Sequence, residues 1–167
     1  MRAPKKKWVV RVESWPAAWG WLFPATYAVH IMEELWGGEG FVEWFARIAD
    51  VELAAGQFLL WNVFALVLMS GSIVLTMRFK QLRPLLLAYG VTFLLNALSH
   101  LIGSIYTISY SPGMLSGLLL WMPLGALTLL HFRKTLSRRA RRAGLVTGAL
   151  MHCVVVLLTL LGERLRV

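Results

Sequence analysis

Five apolar runs, each about as long as the hydrocarbon core of a bilayer is thick, take up most of this chain: roughly 15–37, 54–77, 84–108, 112–132 and 144–162. A helix rises about 1.5 Å per residue, so about twenty apolar residues cross the hydrocarbon, where each backbone N–H and C=O must be satisfied within the segment itself. The residues are 58% hydrophobic and 15% charged, with a mean hydropathy of +0.66 over 167 positions, and little is left for a soluble domain. The expected fold is all-α: one membrane domain over 1–167, a polytopic bundle of five transmembrane helices.

The run ends carry matching punctuation. Gly37-Gly38 closes the first, Arg83-Pro84 opens the third with proline in its first turn, Ser111-Pro112 opens the fourth and Gly144 starts the fifth. The start, Met1-Arg2-Ala3-Pro4-Lys5-Lys6-Lys7, resembles the basic region of a signal peptide. The following run is too long for a signal core and lacks a small-x-small cleavage site, so it reads as a retained first span.

The net charge of +9 is distributed by topology. Arg2, Lys5, Lys6, Lys7 and Arg11 precede the first span; Arg78, Lys80 and Arg83 lie in the second connection; Arg133, Lys134, Arg138, Arg139, Arg141 and Arg142 lie in the fourth. By the positive-inside rule these face the cytoplasm. The first connection, with Glu39, Glu43, Asp50 and Glu52 against Arg47, the uncharged Ser109-Tyr110-Ser111 connection and the C-terminus then lie outside. This predicts a multi-pass membrane protein, able to form homo-oligomers, with the bilayer as partner and no nucleic acid. In the first connection Phe41, Val42, Trp44, Phe45 and Ile48 interleave with Glu43, Arg47 and Asp50, which predicts a short amphipathic helix on the outer surface. The lone Cys153 excludes an intrachain disulfide, and no Cys/His zinc spacing occurs.

Against this background AVHIMEELW, residues 28–36, is out of place. At about 100° per residue, His30, Glu33 and Glu34 project within one arc of about 100°. On the third run Thr92, Asn96, Ser99, His100, Gly103, Ser104 and Thr107 recur at steps of three and four, one polar stripe. His30 and His100 lie about 10–12 Å below the outer ends of their helices, and Asn62 on the second span reaches a similar depth.

Carboxylates this deep cost several kcal/mol unless paired, protonated or metal-bound. The histidines are the only basic residues within spans one to three, so the compensation expected is a divalent cation, zinc or iron. His30, Glu33, Glu34 and His100 are the candidate ligands, and Asn96 or Asn62 would be a neutral ligand or an orienting neighbour. Glu52 at the outer rim and His152 in the fifth run are possible additions. Snorkelling carboxylates and interhelical hydrogen bonds from the histidines are the functionless alternative.

Three functions compete for these residues. In the first, a metalloenzyme acts on a lipophilic small molecule in the outer leaflet, with Glu33 or Glu34 as the catalytic proton shuttle; a metal-free acid/base isomerase or cyclase is its variant. In the second, the cluster is the relay of a proton- or ion-coupled transport subunit, although the inner halves of the spans, such as Val63 to Met69, offer little to line a path. In the third, the chain is an accessory subunit without tight metal.

Together His30-Ile31-Met32-Glu33-Glu34, Asn96-Ala97-Leu98-Ser99-His100 and Tyr110-Ser111-Pro112-Gly113 resemble the small bacterial membrane-protein family called after its HXXEE motif, over roughly residues 22–135. The resemblance implies that His30, Glu33, Glu34, Asn96 and His100 are motif positions and that Tyr110 to Gly113 is a family turn. It carries no established reaction. Position 31, often asparagine in relatives, is isoleucine here.

Overall fold

The computed structural model describes residues 17–162. A 3-10 turn, Ala17–Trp21, leads into α1 (Leu22–Trp36); α2 (Phe41–Ala49), α3 (Ala55–Arg78), α4 (Pro84–Thr107), α5 (Met114–Thr135) and α6 (Arg138–Leu160) follow. No strand occurs among the described residues. Four helices, α3 to α6, are long and apolar enough to cross a membrane, α4 together with the turn at Lys80–Leu82. Helix α1 has 15 residues and is shorter. The N-terminal basic residues, from Arg2 to Arg11, lie outside the described residues.

Helix α6 begins six residues before the expected position 144. The arginines at 138–142 depress hydropathy without opposing helix, since Arg and Ala are both good helix formers. Ser137 caps the start, its Oγ accepting from the Ala140 N–H at 3.3 Å. Helix α5 contains a π-helical turn, Gly117–Trp121, within its first three turns. Such a turn is rare and tends to mark functional sites.

Helix α4 is the hub. The core between it and its neighbours contains Phe23 from α1, Met69 and Ile73 from α3, Tyr89, Phe93 and Ala97 from α4 and Trp121 and Leu124 from α5. Lipid tails are as apolar as leucine, so helices in a membrane associate through close packing and interhelical hydrogen bonds rather than through a hydrophobic gain. Both are present. A Cβ on Gly148 of α6 would come within 2.7 Å of Val91 Cβ and 3.0 Å of Ala88 Cα, so the backbones of α4 and α6 meet where only glycine fits. Beside this contact the Thr92 hydroxyl lies 3.0 Å from the Gly148 carbonyl. Tyr27 of α1 donates to Asn62 Oδ1 of α3 at 2.6 Å.

A short helix, α2, forms where the sequence predicts one, but Ile48 of the expected apolar face lies on the exposed side. Trp44 is buried, with its ring against Gly103 and its Nε1–H donating to Ser109 Oγ at 3.2 Å, while Glu43, Arg47 and Ile48 are exposed. Phe41 at its start stacks on Phe58 of α3, with ring centroids 5.4 Å apart. The helix therefore folds down onto the ends of α3 and α4.

Candidate metal centre

Three side chains from two helices meet at one point. His30 and Glu34, one turn apart on α1, and His100 on α4 each offer a donor atom, and these atoms lie within 4.8 Å of one another. Nε2 of His30 and Nε2 of His100 are each 3.4 Å from Oε1 of Glu34. All three residues are buried, with exposures of 1%, 7% and 5% for His30, Glu34 and His100. The two imidazoles are Glu34's only ionic partners among the described residues. A tetrahedral ion with bonds of about 2.1 Å sets its ligand atoms about 3.4 Å apart, which both imidazole-to-carboxylate spacings match, so the cluster could hold a metal ion.

The imidazoles are held from behind. Ser116 Oγ lies 2.8 Å from His30 Nδ1, and Ser111 Oγ lies 3.0 Å from His100 Nδ1. When each Nδ1–H donates to its serine, both Nε2 lone pairs face Glu34, the tautomer a ligating histidine needs. Neither serine is a site candidate from the sequence, because serine is common in apolar helices and turns. Ser111 lies in the turn that carried the family resemblance, and Ser116 one helical turn beyond it.

That turn closes the site. Gly113 has φ +96°, and a Cβ there would lie 2.8 Å from Cε1 of both histidines and 3.1 Å from Glu34 Cγ. Only glycine allows both the left-handed backbone and the contact. On another side the indole of Trp121, in the π-helical turn, stacks on His30 with centroids 3.6 Å apart. Phe93 stacks on its ring in turn at 4.0 Å. Phe41 of α2 meets His100 edge-on at 5.7 Å.

Of the other candidates, Asn96 is in reach: its Nδ2 lies 3.3 Å from His30 Nε2, and rotating the amide would present Oδ1 instead. Glu33 faces elsewhere. Its Oε1 accepts from the Tyr110 hydroxyl and, at 2.8 Å, from the Leu115 N–H, and its Oε2 accepts from the Ser116 N–H at 2.6 Å. The carboxylate thus satisfies the first turn of α5, where backbone N–H groups lack helical partners and a negative charge is favoured. A wheel projection puts Glu33 within reach of the motif but cannot reveal backbone donors on another helix. Burial, and then the bond to Glu33, raise the pKa of Tyr110, so its hydroxyl remains a donor.

Asn62 is bonded to Tyr27 and to the Phe58 carbonyl rather than to any residue of the cluster, among the described residues. His152 Nε2 lies 3.2 Å from Ser99 Oγ, beside the polar stripe rather than in the site. Glu52, exposed in the segment joining α2 to α3, lies outside the cluster.

The chain matches the model of a family described as "Protein of unknown function with HXXEE motif" over residues 21–128, from the start of α1 into α5. No curated protein and no solved structure matches it. The matched segment contains every residue of the cluster and of the turn that closes it, and the chain belongs to the HXXEE-motif family.

Proposed function

We propose that this protein is an integral membrane metalloprotein in which His30, Glu34 and His100 hold zinc or ferrous iron and which acts on a lipophilic substrate. The observation that carries the reading is the convergence of two imidazole nitrogens on one buried carboxylate oxygen. Two histidines and a carboxylate are a ligand set of catalytic zinc and of non-haem iron, and both leave coordination positions open. Bound there, the metal would polarise an oxygen of the substrate or lower the pKa of a bound water.

The chain's own residues complete the site. Ser111 and Ser116 orient the imidazoles, Trp121 covers one ring and Asn96 offers an amide beside the open side of His30. With Glu33 occupied by three donors, Glu34 is the carboxylate left for proton movement. Phe41, itself stacked on Phe58, lays aromatic surface against His100, and Val29, Met32 and Leu115 are exposed on the neighbouring turns, which suits an apolar substrate arriving from the bilayer.

In the same reading α1 and the 3-10 turn before it form a fifth span, together about 32 Å long. The basic connections face the cytoplasm, α2 lies on the outer surface and the site occupies the outer half of a bacterial inner membrane.

Elemental analysis of protein purified in mild detergent tests the reading. Stoichiometric zinc or iron is expected in the wild type and is lost in His30→Ala and in His100→Ala. Folded wild-type protein that takes up neither metal when each is supplied would sink the metalloprotein and leave a carboxylate–imidazole proton site.

A further inference from the structure

The opposite end of the bundle carries a charged surface that the metal centre does not use. His100 lies sixteen residues along α4 from Pro84, so the two ends are separated by about 24 Å. From Leu53 to Gly162 the chain has no Asp or Glu, yet nine Lys and Arg fall within it, three between Arg78 and Arg83 and six between Arg133 and Arg142.

Folding brings the two groups together. A Cβ on Gly144 would lie 2.8 Å from the Pro84 carbonyl, so the start of α4 abuts α6. Within the second group a guanidinium N–H of Arg141 donates to the Arg133 carbonyl at 3.1 Å, tying the start of α6 to the end of α5. All of the nine except Arg83 and Arg141 are exposed, and none pairs with a carboxylate among the described residues.

Such a surface repels itself. Arg138 and Arg142 are like charges one helical turn apart, and the positive end of the α6 dipole adds to the potential in that turn. An anionic partner relieves both effects.

The apolar surface beside the charges selects the kind of anion. On α3 and just after it Leu75, Met77 and Phe79 are 47%, 51% and 42% exposed, and on α6 Val146 is 53% exposed, all within a few residues of the arginines. A polyanion such as RNA leaves that surface uncovered, whereas a phospholipid covers the charge with its phosphate and the apolar face with its acyl chains.

We propose that this end of the bundle is a binding surface for anionic phospholipids, the headgroup phosphate held by the arginines of both connections and the acyl chains lying along α3 and α6. Clustered basic side chains at the membrane surface attract anionic headgroups additively, so removing several together weakens retention steeply.

Native mass spectrometry from detergent, with phosphatidylglycerol and phosphatidylcholine offered together, tests the proposal. Wild type is expected to retain phosphatidylglycerol about tenfold or more in excess. The triple variant Arg138→Gln, Arg139→Gln, Arg142→Gln falls toward parity, while the corresponding triple lysine variant keeps the preference. Both variants retain wild-type helical circular dichroism and metal content. Equal retention of the two lipids by wild type, or a preference that survives the glutamine substitutions, overturns it. So does displacement of phosphatidylglycerol by an equal concentration of an RNA oligonucleotide or of inorganic phosphate, since neither has acyl chains to place on α3 and α6.

Discussion

Ser116 holds His30 by the ring nitrogen that faces away from the cluster: its Oγ lies 2.8 Å from Nδ1, while Nε2 on the far side of the ring faces Glu34. Removing the hydroxyl frees the ring to rotate and releases the tautomer. Ser116→Ala is expected to lower metal affinity by about 10–100-fold with the fold intact, and Ser111→Ala, behind His100, to act similarly. Competition with a chelator of known affinity measures the change. Unaltered affinity in both variants would show that the serines do not orient the ligands.

The two adjacent glutamates separate cleanly. Glu34→Gln is expected to abolish stoichiometric metal, because it replaces the one carboxylate shared by both imidazoles. Glu33→Ala leaves Tyr110, Leu115 and Ser116 without their acceptor, at about 1–3 kcal/mol in all, mostly from the part-buried Tyr110 and Ser116 donors. Its main effect is therefore a lower thermal midpoint, with metal still bound by the remaining folded protein. Thermal unfolding and elemental analysis on the same samples distinguish the two patterns.

Gly113→Ala meets two obstacles at once, a backbone at φ +96° and a Cβ 2.8 Å from both imidazoles. A loss of about 1–3 kcal/mol is expected, together with loss of metal, since the ring atoms must move. Gly56→Ala on α3, where a Cβ meets nothing within 4 Å, is the control and should be neutral or slightly stabilising. Metal retained at full occupancy in Gly113→Ala would mean that the turn does not press on the site.

Tyr110 gives the chain an alkaline signature. Its pKa is raised in the folded state by burial and by Glu33, so the folded protein holds a proton that the unfolded chain releases near pH 10. Its contribution is fully present below that unfolded value and is lost as pH rises through the folded one. Wild type should lose stability at high pH, and Tyr110→Phe, with no phenol to ionise, should lose less over the same range. Parallel curves for the two proteins would refute the assignment.

Hydropathy alone located the long apolar helices to within a few residues: Ala55–Arg78 against 54–77, and Pro84–Thr107 against 84–108. It misplaced the start of α6, because a window that penalises arginine sees a loop where Ser137 starts a helix. Helical periodicity placed His30 and Glu34 on one face and His100 on a polar stripe, since both patterns depend only on the pitch. It could not separate Glu33 from Glu34. That distinction rests on the N–H groups of Leu115 and Ser116, and backbone donors leave no mark in a side-chain pattern. Ser116 and Trp121 were hidden for a related reason: both lie in an apolar run, and what distinguishes them is contact with a ring on α1.

The bonds from Leu115 and Ser116 to Glu33 join positions 82 and 83 residues apart. During synthesis Glu33 leaves the ribosome first, and at about 5–20 residues per second its donors follow roughly 4–16 s later. His100, the second imidazole beside Glu34, is also made late. Through that interval α1 carries two carboxylates with none of these partners, a sequence costly to release into lipid alone. Glu33 and Glu34 therefore gain these partners only once the α4–α5 hairpin has emerged, which makes the docking of α1 a late contact of long sequence separation.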